Sequence, residues 1–422
     1  MWSVGIAASF AGLAWMYIGN PEDLFLRKLS EQQRRFQRKK AEFGNLRTRK
    51  SKRGAQPSRK CWVTAWDGWQ EERVVCLEGG QAAPSTICFD RNVDQTFAFV
   101  DRWYNAHGVP VNRAPSQVYD WYIYGRNGKL LKPKTIRNYT DFSTINELST
   151  AAALVMTADY DNARKIMGKV PPTIDLHDWN DGVFRKLWEI GFFETVGLTD
   201  AIEDRYEDDG DTRTMKIVCG QSSLELQEAC EAIADLSKFV EDGGALKGEV
   251  QIGLNSAIAE AMANVAKHAY PTDHTFEFEH SSSWWVTASV RRSDRTLTVV
   301  FYDRGATIPI TLPQKHWWEE LKHAFKGNIG IQQHDFEYDA EYIEMALRVG
   351  KTQTKVPWRG KGLPQMKELI DMVGSGSLTI ISRGGLCRYS ADEGVQKSNH
   401  PHSIGGTLIE WSLKLPSESL NE

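Results

Sequence analysis

The stretch LNSAIAEAMANVAKHA, residues 254–269, decides how the second half of the chain folds. Its apolar residues recur at intervals of three and four, which predicts an amphipathic helix with one face toward a core. Glu260, Asn264 and His268 follow one another at intervals of four, so they share an adjacent face. The amide oxygen of Asn264 can bind Mg²⁺, and the carboxylate of Glu260 can take a proton from water. A plain solvated helix face is the alternative interpretation.

Three further segments with turn-forming glycines follow in the same half of the chain. Residues 296–302 (TLTVVFY) predict a strand that runs into DRG at 303–305, where a carboxylate can face a base edge. RGKGL at 359–363 precedes a helical run at 364–372, and glycines at a helix start let backbone N–H groups approach phosphate. GGT at 405–407 leads into a last strand. Each segment taken alone also fits an ordinary turn.

The order of these segments resembles the nucleotide-binding domain shared by gyrase, heat-shock chaperones, histidine kinases and MutL, the GHKL family. The sequence EAMANVAKHAYP at 260–271 is similar to the branch that contains bacterial anti-sigma-factor serine kinases. The resemblance covers residues 211–415. It implies an α/β fold: a two-layer sandwich with a Bergerat-type mixed sheet and helices on one face.

The resemblance also implies an ATP site that contains Mg²⁺. It makes Glu260 the general base, Asn264 the Mg²⁺ ligand and Lys267 a phosphate contact. Between residues 313 and 358 it implies a mobile lid, with His268 as a packing or lid-contact residue. The residues that it implies for the phosphate-binding turn are Gly360, Lys361, Gly362 and Leu363.

The adenine end of the site is implied to lie around Asp303. The resemblance makes this carboxylate the acceptor for the adenine amino group, with Gly305 beside it and Thr407 near the base. The family pattern D-x-G-x-G has Thr307 in place of its second glycine here. This departure favours nucleotide binding over turnover.

Residues 61–210 form a second predicted domain. The part from 148 to 198, which ends in LWEIGFFETVGL, is similar to the STAS-like partner domain that precedes such ATPases in some bacterial proteins. We expect helices at 147–167 and 178–190. Since no phosphoacceptor motif of the Asp-Ser-Ser/Thr-Gly kind is evident, this smaller α/β domain is expected to contact a protein partner.

The N-terminal sixty residues differ in composition from the rest. Residues 1–20 carry no charge and are near the length that a membrane-spanning helix needs, so a membrane anchor and a helix packed on protein remain two interpretations. Residues 21–60 predict a basic linker, and positions 27–60 have a charge balance of +12 in a chain of net charge −4. Such an arm fits a membrane surface, nucleic acid or a solvated linker.

Composition places the body of the chain in a reducing compartment. The chain has 422 residues, of which 41% are hydrophobic, enough for two or three domains. Its six cysteines contain no C-x-x-C pair, so neither a zinc pattern nor a disulfide framework is indicated. We therefore expect a cytoplasmic body, with anchoring to the inner face of the membrane as the alternative for residues 1–20.

Three functions are compatible with the sequence. The first is slow, Mg²⁺-dependent ATP hydrolysis that drives lid closure and signalling to a partner, and the second is an ATP-gated switch without significant turnover. The third is a serine/threonine kinase of the anti-sigma-factor type. A sensor histidine kinase is disfavoured, because no H-E-x-x-x-P segment precedes the ATP domain. The pathway, the oligomeric state and the role of the tail at 416–422 stay open.

Overall fold

A computed structural model describes most of the chain after residue 60. The predicted anchor, the basic linker and the C-terminal tail lie outside the described residues, as do Gly360 and Lys361. No helix in the described part is long and apolar enough to cross a membrane. The described residues are 61–67, 70–76, 80–111, 121–125, 127–136, 139–240, 246, 248–315, 318, 336–348 and 362–415.

Strands and helices alternate in a mixed α/β arrangement. In chain order the described strands are β1 Cys61–Asp67, β2 Gln70–Cys76, β3 Gly80–Ala82, β4 Thr86–Ile87, β5 Thr135–Ile136, β6 Tyr139–Asp141, β7 Glu147–Leu148, β8 Thr173–Ile174, β9 Thr212–Thr214, β10 Val218–Gly220, β11 Trp284–Arg291, β12 Thr296–Asp303, β13 Gly376–Ser382, β14 Gly385–Ser390, β15 Gly394–Asn399 and β16 Thr407–Lys414. The described helices are α1 Val93–His107, α2 Thr150–Met167, α3 Asp181–Glu189, α4 Phe192–Val196, α5 Thr199–Ile202, α6 Ser223–Ser237, α7 Gly248–Asn264, α8 Ile308–Thr311, α9 Asp339–Arg348 and α10 Gly362–Val373. Single turns complete the described order: 3₁₀ turns at Phe142–Thr144, Leu176–Asp178, Glu203–Arg205, Leu312–Gln314 and Phe336–Tyr338, and one π turn at Val265–Ala269.

The main sheet has eight strands in the order β10-β11-β12-β16-β13-β14-β15, with β9 also paired to β11. Each pairing among them is antiparallel. The predicted mixed sheet is therefore wrong in strand direction. The physical reason is connectivity: hairpins join β11 to β12, β13 to β14 and β14 to β15, and hairpins give antiparallel neighbours.

Both faces of this sheet are covered by helices. Successive side chains in a strand point to opposite faces, so β11 sends Trp284 and Val286 to one core cluster and Trp285 to another. We name the face with Trp284 the first face and the face with Trp285 the second face. Sheets buried on both sides have strands that are apolar nearly throughout, as in TLTVVFY.

The first face packs against helices from the second half of the chain. Helices α6, α7, α9 and α10 contribute their apolar residues to one cluster with the sheet. A capping box at Ser222 and Glu225 fixes the start of α6. Representative members of the cluster are Ile233, Ile258, Ile343, Leu369 and Trp411.

The second face packs against helices from residues 93–198. Helix α2 is buried around almost its whole circumference, because it lies between the sheet and helices α1, α3 and α4. Its start is capped by Ser149, whose hydroxyl accepts from the amide of Ala152 at 3.2 Å. The predicted helices on one face only are thus corrected to helices on both faces.

Smaller sheets complete the part before residue 210. Strands β5, β2, β1 and β8 form a four-stranded sheet, and β3 with β6 and β4 with β7 form parallel pairs. The described residues from Cys61 onward belong to one compact unit, and α2 shares a hydrophobic cluster with Val300 and Tyr302 of β12. The boundary near residue 210 therefore stays a prediction about domains within that unit.

Candidate functional site

Helix α7 carries Glu260 and Asn264 on neighbouring turns. Asn264 is its last α-helical residue, and Val265–Ala269 continues as one π-helical turn. A π turn has i→i+5 hydrogen bonds, so it takes His268 out of the four-residue spacing that the sequence predicts. Both Glu260 and Asn264 are half-buried, and neither side chain has a hydrogen bond or an ion pair with another described residue.

The end of the π turn meets the loop that follows β12. The amide of Ala306 donates to the carbonyl oxygen of Ala269 at 2.6 Å. A Cβ atom at Gly305 would lie 2.4 Å from the same oxygen, so the loop approaches the helix this closely only with glycine at 305. The helix that carries Glu260 and the DRG loop are therefore held together by the backbone.

Asp303 ends β12 and is buried on the first face of the sheet. Its Oδ1 accepts from the amide of Gly305 at 2.8 Å, and Oδ2 receives no hydrogen bond from a described residue. Burial raises the pKa of this carboxyl from 3.8 to about 7, and the Gly305 amide opposes that shift. Asp303 is a buried acceptor with one oxygen left for a further donor.

Thr407 lies beside Asp303 in the sheet. The two residues are register partners on β16 and β12, and a Cβ atom at Gly406 would lie 1.8 Å from the carbonyl oxygen of Asp303. The Thr407 hydroxyl is 2.8 Å from Ser382 Oγ, which also accepts from the amide of Ile308 at 2.9 Å. Ser382 thus joins the GGT segment to the residues after DRG, a role that no sequence motif indicated.

Thr307 occupies the position where the family pattern has its second glycine. Its φ of −77° and ψ of 162° are extended backbone that any residue adopts, so the threonine causes no backbone strain. Its side chain is 5% exposed, and the hydroxyl has no hydrogen-bond partner among the described residues. The departure from glycine leaves a buried, unsatisfied polar atom four residues after Asp303.

The remaining predicted residues lie in different surroundings. Gly362 begins helix α10, and Leu363 packs against the same small cluster as Ile308. Lys267 is exposed, and nothing in the described part joins it to the other site residues. His268 Nδ1 lies 3.0 Å from Lys315 Nζ, which places it against the first residues of the predicted lid.

Part of the predicted lid belongs to the core. Within residues 313–358, helix α9 packs on the first face of the sheet, and Arg383 forms an ion pair with its buried Asp339. The amide of Ala340 donates to Asn399 Oδ1 at 2.7 Å. The prediction of a mobile lid is therefore wrong for α9, because this helix buries an apolar face and a carboxylate against the sheet.

A buried ion pair ties the DRG loop to the second face. Arg304 pairs with Asp159 of α2, and both side chains are at most 3% exposed. The Arg304 guanidinium also lies 4.5 Å from the ring centre of Tyr104 in α1. The sequence shows Arg304 between two predicted site residues, but it gives no signal for a partner 145 positions away.

The described side chains fit a nucleotide with Mg²⁺ better than a metal held by protein alone. In the described ranges no group of three or more His, Cys, Asp or Glu side chains could hold a metal ion. Mg²⁺ at phosphate sites takes one or two oxygen ligands from protein and the rest from phosphates and water. The half-buried Glu260 and Asn264, which lack other partners, are oxygen donors of the kind that such an ion takes.

Comparison with known proteins does not identify a family for the chain. No protein-family model matches the chain, and no curated protein matches it. The geometry of the described residues is therefore what bears on function.

Proposed function

We propose that this protein binds ATP with Mg²⁺ in a GHKL-type site and hydrolyses it slowly. One observation carries the proposal: the π turn that follows α7, the DRG loop and the GGT segment meet around Asp303 through backbone contacts at Gly305 and Gly406. We further propose that the sheet and its first-face helices are the GHKL-type sandwich, and that residues 61–210 are a STAS-like interaction domain.

The residues around Asp303 suit the adenine end. Asp303 Oδ2 has no hydrogen bond with a described residue and can accept from a donor that a ligand supplies, and the adenine amino group is such a donor. The buried Thr307 hydroxyl gains a partner in the same way if a base or an ordered water reaches it. The close backbone packing leaves no room for side chains at 305 and 406.

Glu260 and Asn264 suit the phosphate end. Asn264 would hold Mg²⁺ through its amide oxygen, and the ion would neutralise phosphate charge when bound. Glu260 would take a proton from the attacking water at its carboxylate. Lys267 is proposed to contact the phosphates as an exposed cation, and Gly362 and Leu363 at the start of α10. Gly360 and Lys361, which precede α10 in the sequence, are proposed to contact them as well.

An ATP-gated switch is the second candidate. The Arg304–Asp159 ion pair favours it, because this pair joins the loop beside Asp303 to the helix that covers the opposite face of the sheet. Nucleotide binding that shifts the loop would therefore also change the contacts of α2. The protein partner in this proposal binds the STAS-like domain or the lid.

Nucleotide binding is tested with Asp303→Asn. The asparagine keeps the acceptor for Gly305 but turns an N–H₂ group toward the adenine amino group, so we expect ATP binding to weaken about 10- to 100-fold. Asp294→Asn is the matched control, since Asp294 precedes the opposite end of the same strand. Calorimetric titration with ATP and Mg²⁺ measures both. Equal affinity of wild type and Asp303→Asn would contradict the assigned site.

Hydrolysis is tested with Glu260→Ala. Loss of a general base lowers turnover by about 100-fold or more, so phosphate release should fall to background while ATP binding persists. Glu249→Ala, an exposed carboxylate in the first turn of the same helix, is the control and should release phosphate like wild type. Release by neither wild type nor the control, with binding intact, would replace hydrolysis by the switch.

A further inference from the structure

A polar cavity lies on the second face of the sheet. Its volume is about 280 Å³, close to the lower end of about 300–1,000 Å³ for small-molecule sites. Side chains of β11, β12, β13, β14 and β16 form its floor, and the start of α2 and one residue of α3 form its cover. Residues 88–91, in the loop before α1, complete the lining and include Asp90 and Arg91.

The cavity is separate from the proposed nucleotide site. On β12 it is lined by Thr296 and Thr298, whereas Asp303 ends that strand on the first face. Five residues of extended chain span about 17 Å, so Thr298 and Asp303 are about that far apart along the strand. A ligand in the cavity would therefore contact different residues from those proposed for ATP.

Lys186 brings an unpaired cation to the cavity. Its ammonium group makes one long contact, 3.5 Å to Thr150 Oγ1, and no ion pair with a described residue. Burial and the nearby charge of Arg291 lower the pKa of Lys186 to about 8, although the carboxylates of Glu189 and Glu410 oppose the shift. No carboxylate of the described residues lies within ion-pair distance of this ammonium group, so an anion in the cavity would give it a close partner.

The start of α2 adds further groups that bind anions. This helix has 18 residues, and its first residue, Thr150, lines the cavity together with its cap, Ser149. Helix starts carry partial positive charge and favour phosphate. Thr150 Oγ1 lies 2.7 Å from Ser289 Oγ, and both side chains are more than nine-tenths buried, so this hydroxyl pair is fixed.

Glu410 supplies an acceptor among the strands that form the floor. Its carboxyl has no hydrogen bond with a described residue, and burial raises its pKa to about 7. The neighbouring Arg388 is already engaged by Asp90 and by Thr379 Oγ1, the latter at 3.2 Å. Glu410 is therefore available to accept from hydroxyl or amino groups of a ligand.

We propose that the cavity binds a small phosphorylated molecule that also carries hydroxyl or amino groups. The phosphate contacts Lys186 and the start of α2, and the hydroxyl or amino groups donate to Glu410. A sugar phosphate is the simplest molecule with this chemistry. The site is additional to the proposed ATP site and does not depend on it.

Titration with ribose 5-phosphate and with inorganic phosphate tests the site. For the full chain we expect both to bind, ribose 5-phosphate more tightly, and Lys186→Met to weaken both at least about tenfold. Lys238→Met changes an exposed lysine directly after α6, and as the control it should bind like wild type. Lys186→Met keeps a side chain of similar length and an apolar stem, so we expect it to fold, and a thermal melt without ligand checks this.

Two further variants distinguish the phosphate contacts from the hydroxyl contacts and from the proposed ATP site. Glu410→Gln should weaken ribose 5-phosphate about tenfold while inorganic phosphate changes less than about twofold, because only the sugar donates to the carboxylate. Asp303→Asn should leave both affinities unchanged. Absence of binding to wild type, or equal binding by Lys186→Met, would overturn the proposal and leave a cavity filled with water only.

Discussion

The two faces of the main sheet are built on different principles. The first face is filled by apolar side chains from four helices that follow or interrupt the sheet in sequence. The second face is apolar near the DRG loop, around Tyr302, but polar toward the other end of the strands, around Thr298 and Ser412. Its cover comes from helices α1 to α4, at residues 93–196, which precede every strand of the sheet.

The two faces therefore differ in what they contribute to the protein. The first face buries nearly uniform apolar surface, so its main contribution is to stability, with the proposed nucleotide residues at its edge. The second face holds the ionisable groups Lys186 and Glu410, which line the cavity and form no ion pair with a described residue. Ionisable groups with shifted pKa values in a cavity are typical of sites that bind a ligand.

The largest effect on stability is expected at the Arg304–Asp159 ion pair, which joins the DRG loop to the second face. Asp159→Ala leaves the Arg304 guanidinium buried without its partner, which costs about 3–5 kcal/mol of unfolding free energy. The double variant Asp159→Leu with Arg304→Met should recover most of that loss, because both charges are gone. Urea unfolding measures all three proteins. A loss below about 1 kcal/mol for Asp159→Ala would mean that the pair does not join the faces.

Substitutions at two adjacent residues of β16 should change the free energy of unfolding by very different amounts. Leu413 of β16 faces the first-face core and is fully buried, so Leu413→Ala should cost about 2–5 kcal/mol. The preceding residue, Ser412, faces the cavity, and Ser412→Ala should stay within about 0.5 kcal/mol. Thermal and urea unfolding of the two variants compare the faces at the same position in the sheet, and similar losses would contradict the contrast.

The smallest effect is a change in pH dependence at Asp303. The folded-state pKa of this carboxyl, about 7, is above its ordinary value of 3.8, so the folded state holds the proton more tightly. The resulting stability is present below about pH 4 and is lost as pH rises to about 7. Between pH 5 and 7.5 the wild type loses unfolding free energy as Asp303 ionises, and Asp303→Asn should reduce that loss by on the order of 2 kcal/mol. An unchanged slope, measured by urea unfolding at both pH values, would show that the carboxyl is not buried in this way.

Local patterns in the sequence predicted the elements well. The helix expected at 147–167 is found at Thr150–Met167, and the strand expected at 296–302 is found at Thr296–Asp303. Hydrophobic periodicity of 3.6 or 2 is a short-range property, so it predicts such segments directly. The first helix begins later than expected, at Thr150, because Ser149 caps it.

Long-range relations could not be predicted in the same way. The second-face cover, the Asp159–Arg304 pair and the position of Lys186 opposite Glu410 depend on how distant segments pack. The π turn after Asn264 could not be predicted from the helical pattern either, because its extra residue does not change the spacing of the apolar residues. The sequence motifs located Asp303 and Thr407, but only the register of β12 and β16 puts them side by side.

A crystal structure with a non-hydrolysable ATP analogue and Mg²⁺ tests the central claim most directly. The account predicts the adenine amino group at the Asp303 carboxyl, the metal ion on the Asn264 amide oxygen, and the triphosphate near the start of α10. An analogue bound elsewhere, with Glu260 and Asp303 opening onto different surfaces, would contradict it.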